Sequence, residues 1–176
     1  MGFLPPLGLA YLQAALDKEG HLSRIYDMDR GASLADVLAV HPDIIGIGSA
    51  SFSFRRACSV AAALRTQTKA PLVLGDAHAW VARAAVLKDS SFDVALVGEG
   101  ELRFPRLVGL LGEMEAKKIR SMDGLIYRDA GDIHETSDAE YISDLDALPY
   151  PSFRDLQKYR TLPGRARRRI RWEMER

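Results

Sequence analysis

The chain lacks several features that would mark particular classes of protein. Its 176 residues include one cysteine, Cys58, so no disulfide can form within the chain and a cytoplasmic location is expected. Lysine plus arginine and aspartate plus glutamate both number 24, so no excess charge indicates a nucleic acid as partner. No apolar run approaches the ~20 residues that a membrane span needs, and no basic segment starts a signal peptide. We therefore expect a soluble globular protein without a membrane partner.

Common catalytic and cofactor motifs are also missing from the sequence. It contains no P-loop, no spacing typical of a zinc site and no set of residues resembling a Ser-His-Asp triad. The segment Gly46-Ile47-Gly48 is not followed by the third glycine of a dinucleotide-binding fingerprint, which argues against a nicotinamide cofactor. Cys58 lies among apolar neighbours at helical spacing, so we expect a structural thiol there.

Short apolar segments alternate with amphipathic ones through residues 1–118. The apolar runs predict strands at 23–27, 43–48, 71–75 and 93–97. The helical pattern predicts helices between Pro6 and Gly20, from Ser33 (with Asp36 as a capping pair) to Val40, and at 54–68, 81–88 and 101–117. This alternation indicates an α/β fold with a doubly wound, flavodoxin-like (Rossmann-like) parallel sheet. Ligands of such sheets bind at the carboxyl ends of the strands.

The C-terminal third departs from this alternation. Residues 119–143 predict a small appendage, a β-hairpin with a Gly-containing loop at Asp129–Asp132. Residues 144–159, rich in proline and acids, are typical of an interdomain linker. Residues 160–176 form an arginine-rich tail, which is either solvated sequence, out-of-frame sequence or, less favoured, a nucleic-acid-binding element.

Seven segments follow one another in a recognisable order. They are Pro5–Leu12, Tyr26–Asp29, Gly46–Ser49, Leu74–His78, Gly98–Pro105, Gly124–Tyr127 and Asp144–Pro149. Together they resemble the N-terminal cobalamin-binding half of B12-dependent radical SAM enzymes, over roughly residues 5–155. The resemblance implies cobalamin as cofactor and a radical SAM barrel, encoded downstream, as partner. Methyl transfer or a ring rearrangement would be the chemistry of the whole enzyme.

Two departures from this family bear on what the chain can do. The barrel holds an iron–sulfur cluster through a Cys-x-x-x-Cys-x-x-Cys motif, and with Cys58 alone we expect no cluster and no catalytic residue in this chain. Relatives also have a strand before the Pro-Pro-Leu-Gly segment, in the middle of the sheet. Its absence predicts either a truncated start or direct pairing between residues 23–27 and 43–48.

Asp27 ends the predicted strand at 23–27, and Asp29 lies two residues beyond it. Cobalamin domains of methyltransferases and mutases place a cobalt-ligating histidine in an Asp-x-His-x-x-Gly motif after a strand, and Asp29 stands at that histidine's position. A carboxylate is a poor substitute for imidazole on cobalt. The resemblance thus implies cobalamin without a protein histidine as lower ligand. The alternative role for both aspartates is local turn chemistry.

The next two strand ends carry hydroxyls, a glycine and a histidine. Relatives use Ser or Thr in the loop after residues 43–48 near the cofactor's nucleotide tail, which makes Ser49, Ser51 and Ser53 candidate cofactor-binding residues. One of the last two could instead cap the following helix. At the other strand end, Gly75 matches the first glycine of a family Gly pair, and His78 is a candidate cofactor contact. His78 could be a cobalt ligand or part of an interface, and the favoured alternative for a histidine after a strand is a loop or capping residue.

Gly98, Glu99 and Gly100 precede the last predicted helix and are the best family marker. Two glycines allow close backbone approach, and a helix start presents N–H groups to a hydrogen-bonding ligand edge such as the corrin amides. The alternative is a glycine turn that needs no ligand. For the whole chain, the alternative is a doubly wound interaction domain without cofactor, motivated by Asp76 at the position of the family's second glycine.

Overall fold

The computed structural model describes residues 5–75, 77–112 and 116–160. Within them a five-stranded sheet has its strands in chain order from β1 to β5. The strands are β1 (Ile45–Gly48), β2 (Leu72–Gly75), β3 (Val94–Leu96), β4 (Leu125–Asp129) and β5 (Asp132–Glu135). β1, β2 and β3 are parallel, and β4 and β5 are antiparallel to their neighbours. The predicted α/β fold with parallel core strands is confirmed.

Helices connect and cover these strands. They are α1 (Leu7–Lys18), α2 (Leu34–Leu38), α3 (Phe54–Arg65), α4 (Ala77–Ala82), α5 (Ala85–Lys88), α6 (Arg103–Gly112) and α7 (Ala116–Arg120), with 3-10 helices at Met28–Arg30 and Arg154–Arg160. The capping pair predicted for α2 is present. Ser33 accepts from the Asp36 N–H, and the Asp36 side chain accepts from the Ser33 N–H. None of the helices in the described residues is long and apolar enough to cross a membrane.

The central strands are buried on both faces. Leu72 and Leu74 point into one core with Ala61 and Leu64 of α3, whereas Val73 points into a second core. Leu107, Leu110 and Leu125 belong to that second core. Because side chains alternate across a strand, the continuous apolar run at 71–75 supplies both layers.

The strand predicted at 23–27 is wrong. Residues 21–27 have no strand pairing in the described part of the chain. Side chains satisfy their backbone groups instead: Asp155 Oδ2 accepts from the Ile25 N–H at 2.9 Å, and the Ser23 carbonyl accepts from Arg154 at 2.6 Å. Direct pairing of residues 23–27 with β1 therefore does not occur, and β1 lies at one edge of the sheet that the described residues form. A strand needs a neighbouring ladder of donors and acceptors, which the local sequence does not reveal.

Two predicted helices have different limits in the structure. The helix expected at 101–117 begins at Arg103. Its described residues form α6, up to Gly112, and the first residues of α7, from Ala116, and residues 113–115 between them lie outside the described part of the chain. The helix expected at 81–88 starts earlier, at Ala77, and divides at Arg83, whose φ of 52° is left-handed. Glu135 of β5 holds this break, because its carboxylate accepts from Arg83 Nε at 3.1 Å and from the Ala84 N–H at 2.7 Å.

The segments after α7 pack on the rest of the fold. The predicted hairpin is confirmed, and its first strand also pairs with β3, so the hairpin extends the main sheet. The predicted linker runs back along α1: the Ser152 N–H donates to the Ala10 carbonyl at 2.9 Å, and Leu156 is buried. The arginine-rich tail predicted at 160–176 lies, from residue 161 onward, outside the described residues.

Candidate functional site

The loop after β1 holds the three candidate serines at the carboxyl end of the sheet. Ser49 is 2% exposed, and its hydroxyl lies 3.3 Å from the Ser53 hydroxyl. Both hydroxyls donate to the Ala50 carbonyl at 3.1 Å. Ser53 is the residue before α3, but its side chain makes no capping hydrogen bond, so the capping alternative for Ser53 is wrong. Ser51 is exposed and lies outside this pair.

His78 joins the end of β2 to this serine loop. Its Nδ1 lies 3.1 Å from the Ser51 hydroxyl, and its ring packs on Phe54 with 4.1 Å between the ring centroids. Its backbone N–H donates to the Ser49 carbonyl at 3.3 Å. The fold therefore brings Ser49, Ser51, Ser53 and His78 together, although His78 is 25 or more residues from each serine in the sequence.

Gly75, the last residue of β2, borders the same cluster. Its carbonyl accepts from the Ser49 N–H at 3.2 Å. A Cβ added to Gly75 would meet no atom of the described residues within 4 Å, and the φ of Gly75 is not left-handed. The fold itself therefore does not require glycine at this position. Asp76, which the sequence analysis weighed against cofactor binding, lies outside the described residues.

Asp27 and Asp29 make local contacts next to this edge. Asp27 accepts from the Asp29 N–H at 2.9 Å and caps the 3-10 helix that follows. Asp29 pairs with Arg56 in the first turn of α3, the helix that begins after Ser53. The Asp27 contact is the local turn chemistry expected as the alternative to a cofactor role. The pair with Arg56 places Asp29 beside the start of α3 rather than within the serine cluster.

The Gly98 loop, residues 98–100, is packed against the protein's own side chains. Gly98 has a φ of +83°, and its added Cβ would lie 2.9 Å from Arg103 Nη2. A Cβ on Gly100 would lie 3.1 Å from Leu12 Cδ2 of α1. The carboxylate of Glu99 accepts from the Ile142 N–H at 2.5 Å. A side chain at either glycine would thus approach a neighbouring side chain of the protein closely, so the packing of the fold itself favours glycine at both positions.

Arg103 is a residue of this loop region that the sequence analysis missed. Its guanidinium donates to three carbonyls, those of Val97 (3.3 Å), Glu99 (2.5 Å) and Glu140 (3.1 Å). Burial lowers the pKa of Arg103, and nearby acidic side chains oppose that effect. The one signal in the sequence was an arginine between Leu102 and Phe104, in an otherwise apolar turn.

The comparisons with known proteins match this part of the fold. The family model of the B12 binding domain matches residues 2–108, which include the serine cluster, the Gly98 loop and Arg103. The chain belongs to the B12-binding domain family. The family model does not extend beyond residue 108, so the hairpin and the segment that contacts Glu99 lie outside the matched range.

Similar proteins are much longer than this B12-binding domain. An uncharacterized methyltransferase of Pyrococcus horikoshii is 27% identical over 155 residues, which are 85% of this chain and 33% of that protein. The radical S-adenosylmethionine methyltransferase TsrM of Kitasatospora setae, with cobalamin and a [4Fe-4S] cluster bound, has a TM-score of 0.66 at 17% identity, over 84% of this chain and 28% of its own. The cobalamin-dependent S-adenosylmethionine radical enzyme OxsB, in its apo form, has a TM-score of 0.68 at 20% identity, over 87% and 22%. The likeness to these two structures shows the fold, and the chain spans a third or less of each relative's length.

Proposed function

We propose that this B12-binding domain binds cobalamin at the carboxyl ends of β1 and β2, as the cobalamin-binding module of a radical SAM protein. The observation that carries the proposal is the cluster of Ser49, Ser51, Ser53 and His78 beside Gly75, inside the region that matches the family model. Ligands of parallel α/β sheets bind at this end of the strands. Hydroxyl and imidazole groups are suitable partners for the polar nucleotide tail of cobalamin.

Gly75 leaves room for close approach of a ligand to the backbone. The described residues do not require glycine at this position, because a Cβ added to Gly75 would meet none of their atoms within 4 Å. Close approach of a ligand to the backbone is a common use of such a glycine. The exposed hydroxyl of Ser51 lies on the neighbouring strand end, where it can reach the same ligand.

We further propose that cobalamin binds here without a protein histidine on the lower face of cobalt. Asp29, at the position of the ligating histidine in other cobalamin domains, is a carboxylate paired with Arg56. His78 has its Nδ1 on Ser51 and its ring on Phe54, an orientation suited to the cofactor's tail. When bound, cobalamin supplies a cobalt centre that can carry a methyl group. The protein's role is to bind and orient it.

The cluster chemistry would come from another part of the enzyme. A radical SAM cluster needs three cysteine thiolates, and the 176 residues contain only Cys58. Burial raises the pKa of the Cys58 thiol, which disfavours the thiolate form that ligates metal. We propose that a separate radical SAM barrel holds the cluster and S-adenosylmethionine, in line with the cobalamin and the [4Fe-4S] cluster bound together in TsrM.

Titration of the purified chain with hydroxocobalamin tests the proposed function. Native protein should change the visible spectrum of the cofactor and co-elute with it. Gly75→Val should weaken binding by about tenfold or more, because its branched side chain occupies the space next to the strand end. Gly112→Val, at the end of α6, is the control, since its Cβ also meets nothing within 4 Å. If folded native protein binds no cobalamin, the alternative of an interaction domain without cofactor is favoured.

A further inference from the structure

The segment after β5 lies across the Gly98 loop. We call residues 138–142 the strap. Asp138 pairs with Arg83 at 2.8 Å, and the ring of Tyr141 lies 6.2 Å from that of Trp80, centroid to centroid. The Ile142 N–H donates to Glu99 at 2.5 Å. The strap is thus attached both to α4, which carries His78, and to the loop that follows β3.

The side chain of Arg103 connects the strap to the Gly98 loop through hydrogen bonds. Nη1 donates to the backbone carbonyl of Glu140 in the strap. Nη2 donates to the backbone carbonyls of Glu99 in the loop and of Val97, the residue after β3. A guanidinium presents its donors in a rigid planar fork, so these three carbonyls are held at set positions relative to one another. A lysine ammonium has no such fork and is a single point of charge.

The surrounding backbone is shaped around this guanidinium. A Cβ on Gly98 would lie 2.9 Å from Nη2. A Cβ on Gly124, the residue before β4, would lie 2.8 Å from both the Ala139 Cβ in the strap and the Val97 carbonyl, and it would also contact Nε at 3.7 Å. Both glycines have positive φ, +83° and +72°. Nε itself is buried and has no hydrogen-bond partner among the described residues. The loop, the strap and the start of β4 therefore meet at one side chain.

We propose that Arg103 is a positioning residue for cobalamin binding: it holds the Gly98 loop and the strap in one arrangement. The inference rests on the proposed function and on the sequence-based prediction that Gly98, Glu99 and Gly100 contact cobalamin. Arg103 acts through the loop backbone. Since binding equilibria are reciprocal, a strap that favours cobalamin binding is itself made more rigid when cobalamin binds.

Hydrogen exchange and cobalamin affinity, measured on the same variants of the full chain, test this inference. Arg103→Met removes all three hydrogen bonds, and Arg103→Lys keeps the charge without the fork. Without ligand, exchange at the Ile142 amide should be about tenfold or more faster in both variants than in native protein. Hydroxocobalamin should bind about tenfold more weakly to both. Arg106→Met is the control, because Arg106 is an exposed arginine on the same helix. In native protein, hydroxocobalamin should slow exchange at Ile142.

The outcomes separate the inference from the proposed function. If native protein binds no hydroxocobalamin, the proposed function is wrong, and the role of Arg103 in cofactor binding is overturned with it. Hydrogen exchange at the Ile142 amide without ligand then still decides whether Arg103 positions the strap. If Arg103→Met has native affinity, the inference is overturned even though cobalamin binds. Equal acceleration at the Leu74 amide in β2 would show general destabilisation and would also overturn a positioning role. A native-like Arg103→Lys would reduce the role to charge alone and contradict the fork argument.

Discussion

Replacing Gly98 with alanine should destabilise the protein far more than the same replacement at Gly75. Gly75 ends β2 and Gly98 follows β3, and both are candidate cofactor-binding residues from the sequence. The structure separates them. Gly98 has a φ of +83° and lies beside Arg103, whereas Gly75 has neither a left-handed φ nor an atom within 4 Å of its added Cβ.

The expected magnitude follows from three contributions. Holding alanine in the left-handed region costs about 1–2 kcal/mol. The added Cβ, 2.9 Å from Arg103 Nη2, moves the guanidinium away from a backbone carbonyl, and a hydrogen bond from a charged donor is worth about 1.5 kcal/mol at a half-buried site. Alanine also stiffens the unfolded chain, which returns about 0.5 kcal/mol. The sum is a loss of about 2–3 kcal/mol in the free energy of unfolding.

Urea unfolding followed by circular dichroism measures this loss in the free energy of unfolding directly, and thermal unfolding measures the melting temperature. At about 2–4 °C per kcal/mol for a chain of this length, the melting temperature of Gly98→Ala should fall by roughly 5–10 °C. Gly75→Ala should stay within about 0.5 kcal/mol of native protein. If the two variants have equal stability, the left-handed conformation of Gly98 and its contact with Arg103 do not contribute as the structure indicates.

Three further perturbations test separate parts of the fold. Ser33→Ala should destabilise the protein more at pH 7 than at acidic pH. The Ser33 hydroxyl donates to the Asp36 carboxylate and lowers the pKa of Asp36, and this contribution, present above about pH 4, is lost as pH falls through the lowered pKa. Urea unfolding across this pH range is the measurement. Burial raises the pKa of Cys58, so stability should fall as pH rises from about 8.5 through the raised pKa, and an unchanged slope in Cys58→Ala would contradict this. Asp155→Ala should cost about 1–3 kcal/mol, because the Ile25 N–H loses its acceptor, whereas an unchanged melting temperature would show that this contact contributes nothing.

Local pattern was a sound guide where a few neighbouring residues decide the structure. The apolar runs at 43–48, 71–75 and 93–97 contain β1, β2 and β3, and the Ser33 capping pair begins α2. These features depend on side-chain alternation and on hydrogen bonds across three positions. The same reasoning failed at 23–27, because a strand depends on a partner that lies elsewhere in the chain.

The candidate site was predictable in its parts and not in its arrangement. Order along the chain and the rule for parallel sheets placed the serines and His78 at one edge. Their hydrogen bonds, and the engagement of Glu99 by Ile142, came only from the structure. Arg103 was missed because its three acceptors are backbone carbonyls, which have no signature in a sequence.

By itself, the sequence determined the α/β class, the parallel core and the family, because these follow from apolar periodicity and from the order of short motifs. It also determined that one cysteine is available. Only the tertiary structure decided what each motif contacts: Gly98 and Gly100 accommodate Arg103 and Leu12, while Gly75 borders open space. The physical reason is that a glycine in the sequence shows only that a side chain is missing at that position. Whether the free space is filled by another side chain or left open to a ligand depends on packing between segments that are distant in the sequence.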